Sequence, residues 1–508
     1  MLEYAILLSL LLIALTLLYK WSVSSFGVWK RKGVPYDSDN LYPFVGNMKA
    51  TFTRGTHIAY LIDDLYNKFK DTSEFAGFYA TLQPTFIPLS AEMSCAIAIK
   101  DFSHFPDRDF HNDPNFDVLM NNISTISGPD WKYQRTKLSP TFTSGKLRGM
   151  TVAINDSCDM FINYMKKNYS GKEVDTESLI QDCIMCFIGK VVCGMNYYDI
   201  ENPDPVFKKI CSTFSQPSWR LSFRMILQFI SPKLAIKMKF FPPYVENYFR
   251  ELTVESMKAK ARTQGDTKDF LQLLINLHKE DEMNNDKEGH FSMNAVIGNL
   301  FVFLLAGQET STQAVTMLLY NLSKHPDVKH KLAKEIDTVL TTVPHELSYD
   351  DAMKKFPYLN QVLEESMRLY PLIFALNRIC TKEYTVPGTD ITIDVGTSVI
   401  IPVTALHRDA RYWTDPDKFD PERFSPENKE RIVPGSYVPF GLGPRMCIGN
   451  RLALLDMKIL LIKLLHSFDV SPTERTPKEI KYDHKQPTQL KSVDKIYLQF
   501  TPRLSLLR

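Results

Sequence analysis

The sequence predicts a mainly α-helical chain with small β-sheets, joined to one N-terminal membrane-spanning helix. Three observations predict it. Apolar residues recur at helical spacing through most of the 508 residues, a few short stretches are alternating or β-branched, and the first twenty residues hold an uncharged apolar run.

That run, Tyr4 to Tyr19, is nearly long enough to cross a thin bilayer. It lacks the positive leader and small-residue cleavage site of a secretory signal, so it reads as a retained anchor. Glu3 precedes it and Lys20, Lys30, Arg31 and Lys32 follow, which by the positive-inside rule puts the rest of the chain in the cytosol. Gly33-Val34-Pro35 and Pro43 to Asn47 are turn-rich. The expected organisation is an anchor over 1–20, a basic, turn-rich linker over 21–47 and one catalytic domain over 48–508. Within the domain, short strands are expected near Phe75 to Pro88, Tyr384 to Ile401 and Ile496 to Thr501, and Glu280 to His290 reads as a polar surface loop. The clearest helix takes Ser292 as its N-cap and runs to about Lys324, where His325-Pro326 stops it. Its centre, Leu300 to Ala306, is apolar on every face, so it must run through the interior.

Composition excludes several classes. At 44% hydrophobic and 12% aromatic the chain can bury a large core, which rules out disorder, and a net charge of +2 lacks the basic excess of a nucleic-acid binder. Eight cysteines in apolar surroundings suit a reducing compartment. Cys183-Ile-Met-Cys186 has metal-site spacing but no second pair, and reads as core. His407-Arg-Asp409 lacks the other parts of a kinase loop, and Gly441-Leu-Gly443 has Met446 where a dinucleotide fingerprint needs glycine, so nicotinamide is expected on a partner.

Three segments carry chemistry. In Phe440-Gly-Leu-Gly443-Pro-Arg445-Met-Cys447-Ile-Gly449, glycines let a loop lie flat against a large planar group and aim N–H groups at the sulfur. The apolar helix that follows, Leu452 to Leu465, adds partial positive charge at its start and favours thiolate over thiol. In Ala306-Gly-Gln-Glu309-Thr310-Ser311, Thr310 can bond back to the carbonyl of Ala306 and, with Gly307, open the helix into a groove. Glu365 and Arg368 stand at i, i+3, and Pro421-Glu-Arg423-Phe424 follows.

The first segment matches F-x-x-G-x-R-x-C-x-G at every fixed position and resembles the haem-binding signature of the cytochrome P450 superfamily. The second resembles that family's oxygen-activation motif. The similarity extends over nearly the whole chain, and Ala405 to Trp413 with the meander behind it resembles the microsomal drug- and toxin-metabolising clan shared by vertebrates and insects. Gln308, where related sequences often carry an aromatic, and Asp456 are departures.

The resemblance implies the cytochrome P450 fold, with the long helix over haem b and Cys447 as axial ligand, and with Phe440 and Ala306 against the cofactor. It implies catalytic roles for Thr310 and Glu309, and propionate contacts from Arg108, Trp131, Arg135, Arg378 and Arg445. It joins Glu365 and Arg368 to Arg423 in a structural triad. The substrate pocket is expected to draw on Phe110, Phe116, Phe301, Leu305, Ile373 and Phe374. The implied activity inserts one atom of O2 into a hydrophobic small molecule while the other leaves as water. Its electrons come from NADPH through a membrane-bound diflavin reductase, with cytochrome b5 as an auxiliary donor, and Lys132 and Lys137 stand on the docking face. The expected place is the endoplasmic reticulum membrane. Two rivals are a haem-thiolate isomerase or dehydratase working without a reductase, and a non-catalytic membrane-anchored haem or ligand carrier. Glu309-Thr310 weighs against the first, and the presence of both motifs against the second.

Overall fold

The computed structural model describes residues 2–193, 199–202, 205–215, 219–263, 270–284, 291–486 and 489–503. Its longer helices are α1 (Leu2–Ser22), α2 (Ile58–Phe69), α3 (Gly128–Leu138), α4 (Ser144–Asn168), α5 (Thr176–Cys193), α6 (Pro205–Ser215) and α7 (Trp219–Ile230). They continue with α8 (Pro243–Thr263), α9 (Phe270–Asn284), α10 (Met293–Lys324), α11 (Pro326–Leu340), α12 (Pro357–Leu369) and α13 (Asn450–Ser467). The strands are β1 (Phe75–Ala80), β2 (Gln83–Pro88), β3 (Glu173–Asp175), β4 (Ala375–Ile379), β5 (Tyr384–Thr385), β6 (Thr392–Ile393), β7 (Ser398–Pro402), β8 (Phe468–Pro472) and β9 (Tyr497–Pro502).

Helix α10 begins where the Ser292 hydroxyl accepts the N–H of Ala295 at 3.2 Å, and it ends at His325, the residue before a proline. It is buried along most of its length and crosses the interior, as its apolar centre requires. The segment before α3 presses on it closely: a Cβ added at Gly298 would sit 2.3 Å from the Asn121 carbonyl oxygen, so only glycine fits. One residue on, the Asn299 side chain donates to Gln134 Oε1 at 2.8 Å and accepts the Ile123 N–H at 3.1 Å, locking α10 to α3 and the loop before it. Around α10 lies the larger core, built mainly from α4, α5, α12 and α13.

A second core sits on the four-stranded sheet, ordered β1-β2-β7-β4, in which β2 and β7 run parallel and the other pairs antiparallel. Strands β3, β9 and β8 form another sheet, and β5 and β6 a small ribbon. The expected strand regions are all strands. Strands β3, β4 and β8 were not anticipated: β8 follows α13 with no breaker between Ser467 and Phe468, and β4 alternates around a buried Arg378. The polar segment starting at Glu280 continues α9 to Asn284, and its residues 285–290 lie outside the described residues.

Helix α1 is apolar, 21 residues long and leaves its side chains exposed, as a helix meant for lipid would. Residues 21–47, expected as a linker, pack onto the sheet. Trp29 is 1% exposed and its indole N–H donates to the Phe78 carbonyl at 3.1 Å, while Tyr36 bridges to Gly77.

The meander after β7 is pinned from beneath. Arg368 donates to the Glu365 carboxylate at 2.7 and 2.9 Å and to the carbonyls of His407 and Pro416, both at 2.8 Å. Arg423 reaches the same carboxylate at 3.3 Å, so the helical pair and the meander arginine meet in one buried cluster. His407 completes it, with Nδ1 donating to the Arg368 carbonyl at 3.2 Å and Nε2 accepting the Val438 N–H at 2.8 Å.

Candidate active site

Val438 opens the loop that carries Cys447. The Gly441 N–H donates to the Val438 carbonyl at 3.0 Å, the Met446 N–H to Gly443 at 2.9 Å and the Cys447 N–H to Phe440 at 2.8 Å, folding the loop into a tight shelf ahead of α13. Gly443 has φ +67°, and a Cβ there would stand 2.0 Å from the Ala98 carbonyl oxygen, so conformation and space both demand glycine. Cys447 faces a cavity of about 610 Å³ deep in the protein. Burial pushes its thiol up, against the pull of the Gly449 N–H and the charges of Arg108 and Arg135. A cation bound at the sulfur would favour the thiolate further.

Helix α10 forms the opposite wall with Val302, Phe303, Ala306, Gly307, Thr310 and Ser311. The Thr310 hydroxyl donates to the Ala306 carbonyl at 2.6 Å, the back-bond expected of it. Glu309 turns away from the cavity and pairs with Lys491, whose ammonium also meets Glu177 at 3.0 Å. Burial works to lower the pKa of Lys491, but Glu309 and Glu177 outweigh it and hold the ammonium charged. Asp456, the other departure, is buried beneath α10 and accepts the Ser311 hydroxyl at 3.2 Å; burial pushes the pKa of its carboxyl well above the usual carboxylate range. Gln308 is buried as well, and its amide meets no hydrogen-bond partner among the described residues.

Guanidinium groups gather along one edge of the cavity. Arg108 donates to the carbonyls of Ser124 and Arg445, each at 3.1 Å. Arg445 pairs with Asp107 at 2.8 Å and lies 3.9 Å over the Trp131 ring. Arg378 leaves its Nε without a partner, and Arg135 and Trp131, one turn apart on α3, both line the cavity. Burial and mutual repulsion with Arg108 pull Arg378 and Arg445 down to about 9. Such a cluster is stable only against an anionic group of matching shape. A planar cofactor with two carboxylates would be held by Arg108, Arg135, Arg378 and Arg445 at this edge, would give the orphaned Arg378 Nε an acceptor, and its iron would supply a cation for the Cys447 sulfur. The residues fit haem.

The rest of the lining is apolar. Phe110, Ile373, Phe374 and Phe440 line it, as anticipated, and so do Ile188, Met225 and Phe229, which the sequence reading did not name. Three expected pocket residues lie elsewhere. Phe301 and Leu305 face the back of α10, where Phe301 packs edge-on against Phe241 and Phe249 at 5.1 Å; Phe116 is exposed under the Lys239 ammonium. The error has a simple cause, because an all-apolar helix gives no sequence clue to which face meets the cavity. His407 belongs to no kinase loop, yet it holds the base of the cysteine loop, a role that only its place in the fold reveals.

A cysteine on a glycine shelf, a long helix with a hydroxyl opposite and an arginine-lined edge define a haem-thiolate oxygenase. The chain belongs to the cytochrome P450 family, whose model matches residues 37–499. It is similar to probable cytochrome P450 6a14 of Drosophila melanogaster, with 31% identity over 501 residues, 96% of this chain and 97% of that protein. Cytochrome P450 6a2 of the same fly is 32% identical over 90% of this chain and 92% of its own length, and cytochrome P450 6B7 of Helicoverpa armigera is 29% identical over 94% and 95%. The protein is thus a haem-dependent monooxygenase with Cys447 as the axial thiolate.

Proposed function

We propose that the protein is a membrane-anchored monooxygenase that oxidises hydrophobic small molecules in the cavity between Cys447 and α10, with electrons delivered from NADPH by a membrane-bound diflavin reductase. The observation that carries this reading is one cavity bounded by Cys447 on one wall and Thr310 on the other, with apolar side chains between them. Haem, when bound, supplies the activation of O2 and the insertion of one oxygen atom. The chain's own residues do the rest. Cys447 provides the anionic sulfur, and the Gly449 N–H holds its charge. Arg108, Arg135, Arg378, Arg445 and Trp131 would hold the cofactor's carboxylates, and Phe440 and Ala306, which line the same cavity, would pack against it. Thr310, released from its back-bond to Ala306, offers a proton at the cavity wall, and Glu309 behind it is the acid nearest to that hydroxyl in sequence. Glu365, Arg368 and Arg423 hold the meander and have no part in the chemistry.

In this reading α1 spans the endoplasmic reticulum membrane once, with the catalytic domain in the cytosol. Lys132 is exposed on α3 and, with Lys137, contributes to the face that receives reductase or cytochrome b5. The test is oxygen consumption by the holoenzyme in vesicles with a diflavin reductase and NADPH. Turnover that needs reductase and NADPH supports the monooxygenase. Rearrangement of a peroxide with no reductase present would replace it with the isomerase reading.

A further inference from the structure

Away from Cys447, the cavity wall holds a polar corner that the oxygen chemistry does not use. Asp109, next to Arg108, is 5% exposed. Its Oδ2 accepts from Gln83 Nε2 at 3.1 Å and the Ser398 hydroxyl stands beside the carboxylate, but Oδ1 has no aligned hydrogen bond and lies 3.2 Å from His111 Nδ1. Gln228 on α7 is 2% exposed; its Nε2 donates to the Asp109 carbonyl at 2.7 Å, which leaves Oε1 without a donor. On β4 the Asn377 Oδ1 is likewise buried and unpartnered. All three residues line the cavity, and the antiparallel bridge between Asp107 and Ile379 runs the Asp109 segment back along β4 towards Asn377.

The unmet atoms that Asp109, Gln228 and Asn377 bring to the cavity wall are acceptors; the unmet His111 Nδ1 and Arg224 Nη1 lie on residues that do not line the cavity, and the unmet Arg378 Nε belongs to the cofactor edge. A buried acceptor without a donor is costly, and a wall so built favours a ligand that brings the donor and discriminates against one that brings another acceptor. We propose that this corner selects substrates carrying an N–H or O–H donor, an amine or a hydroxyl, on an otherwise apolar frame. The proposal rests on the cavity being the substrate pocket, and it names the class of substrate that pocket takes. Asp109 and Gln228 act as specificity residues, bonding the far end of the molecule while its apolar body lies towards Thr310.

The test uses the full-length holoenzyme and four probes built on one rigid tricyclic hydrocarbon: unsubstituted, with a ketone, with a hydroxyl, and with a dimethylamino group, whose protonated form carries one N–H. Binding is read by Soret titration and, independently, by calorimetry. The hydroxyl and amine probes are expected to bind at least ten-fold tighter than the ketone. In Gln228→Met and Asp109→Leu that ratio falls towards one while the affinity for the plain hydrocarbon stays unchanged, which shows the pocket intact. Equal binding of ketone, hydroxyl and amine in the wild type overturns the proposal and leaves a corner filled by ordered water only. If none of the probes, the hydrocarbon included, binds by either method, the reading of the cavity as substrate pocket fails with it.

Discussion

Replacing Glu365 with alanine removes the centre of the cluster beneath the cysteine loop. Its carboxylate accepts from Arg368 Nε and Nη2, from Arg423 Nε and from the Asp420 N–H, the last at 2.8 Å. The Glu365 and Arg368 side chains are both 0% exposed, so without the carboxylate the Arg368 guanidinium is buried with its charge unpaired. Breaking a buried pair in that way costs about 3–5 kcal/mol, and the lost bond to Asp420 about 1 kcal/mol more. Against a total stability of about 5–15 kcal/mol, that is about a quarter or more of what holds the domain together. The loss spreads along a defined path, because Arg368 holds His407 and His407 holds Val438 at the root of the Cys447 loop. Arg423→Ala, which gives up a 3.3 Å contact and a bond to the Asp415 carbonyl at a partly open site, costs about 1–2 kcal/mol. Denaturant unfolding and haem content per chain measure both variants. A Glu365→Ala protein with full haem content and stability within 1 kcal/mol of wild type would refute the reasoning.

Thr310→Ala should keep haem, since alanine is the better helix former, but lose a donor at the cavity wall; product per NADPH consumed falls while peroxide and superoxide rise, and unchanged coupling would mean the hydroxyl only shapes α10. His407 is held neutral, its pKa lowered by burial and Arg368 from 6.5 to about 3, so its contribution is intact above pH 6.5 and is lost as pH falls towards 3, by about 1.4 kcal/mol per pH unit. Unfolding free energy measured from pH 6.5 to 5 should show a shallower acid slope in His407→Gln, which cannot titrate; equal slopes would contradict the assignment. Deleting residues 1–20 should weaken sedimentation with membranes and leave a haem-loaded domain, whereas extending the deletion past Trp29 should lower the melting temperature, because that indole fills the sheet core.

Much of this was legible in the sequence, for reasons that differ from element to element. Helix α10 could be bounded closely because its ends are set locally, by a serine cap and a proline. The Cys447 loop could be read because positive φ and close approach restrict its positions to glycine. The direction of side chains from α10 could not be read, so Phe301 and Leu305 were assigned to a cavity they do not face. Residues 21–47 looked like a linker because their turns are visible in sequence and the sheet that receives Trp29 is not. Glu309 was legible as an acid beside a threonine, but its partner Lys491 lies 182 positions further along the chain, and only the fold brings them together. The polar corner at Asp109, Gln228 and Asn377 gives no pattern at all, since its members come from a loop, a helix and a strand.

The central claim is that Cys447 supplies a thiolate to haem iron, and the spectrum of the reduced protein under carbon monoxide tests it most directly. The wild type should show the red-shifted Soret band of thiolate ligation. Cys447→His and Cys447→Ser, which place no anionic sulfur on the iron, should lose that band even where haem is retained. A wild-type protein without it, or either variant with it, would contradict the account.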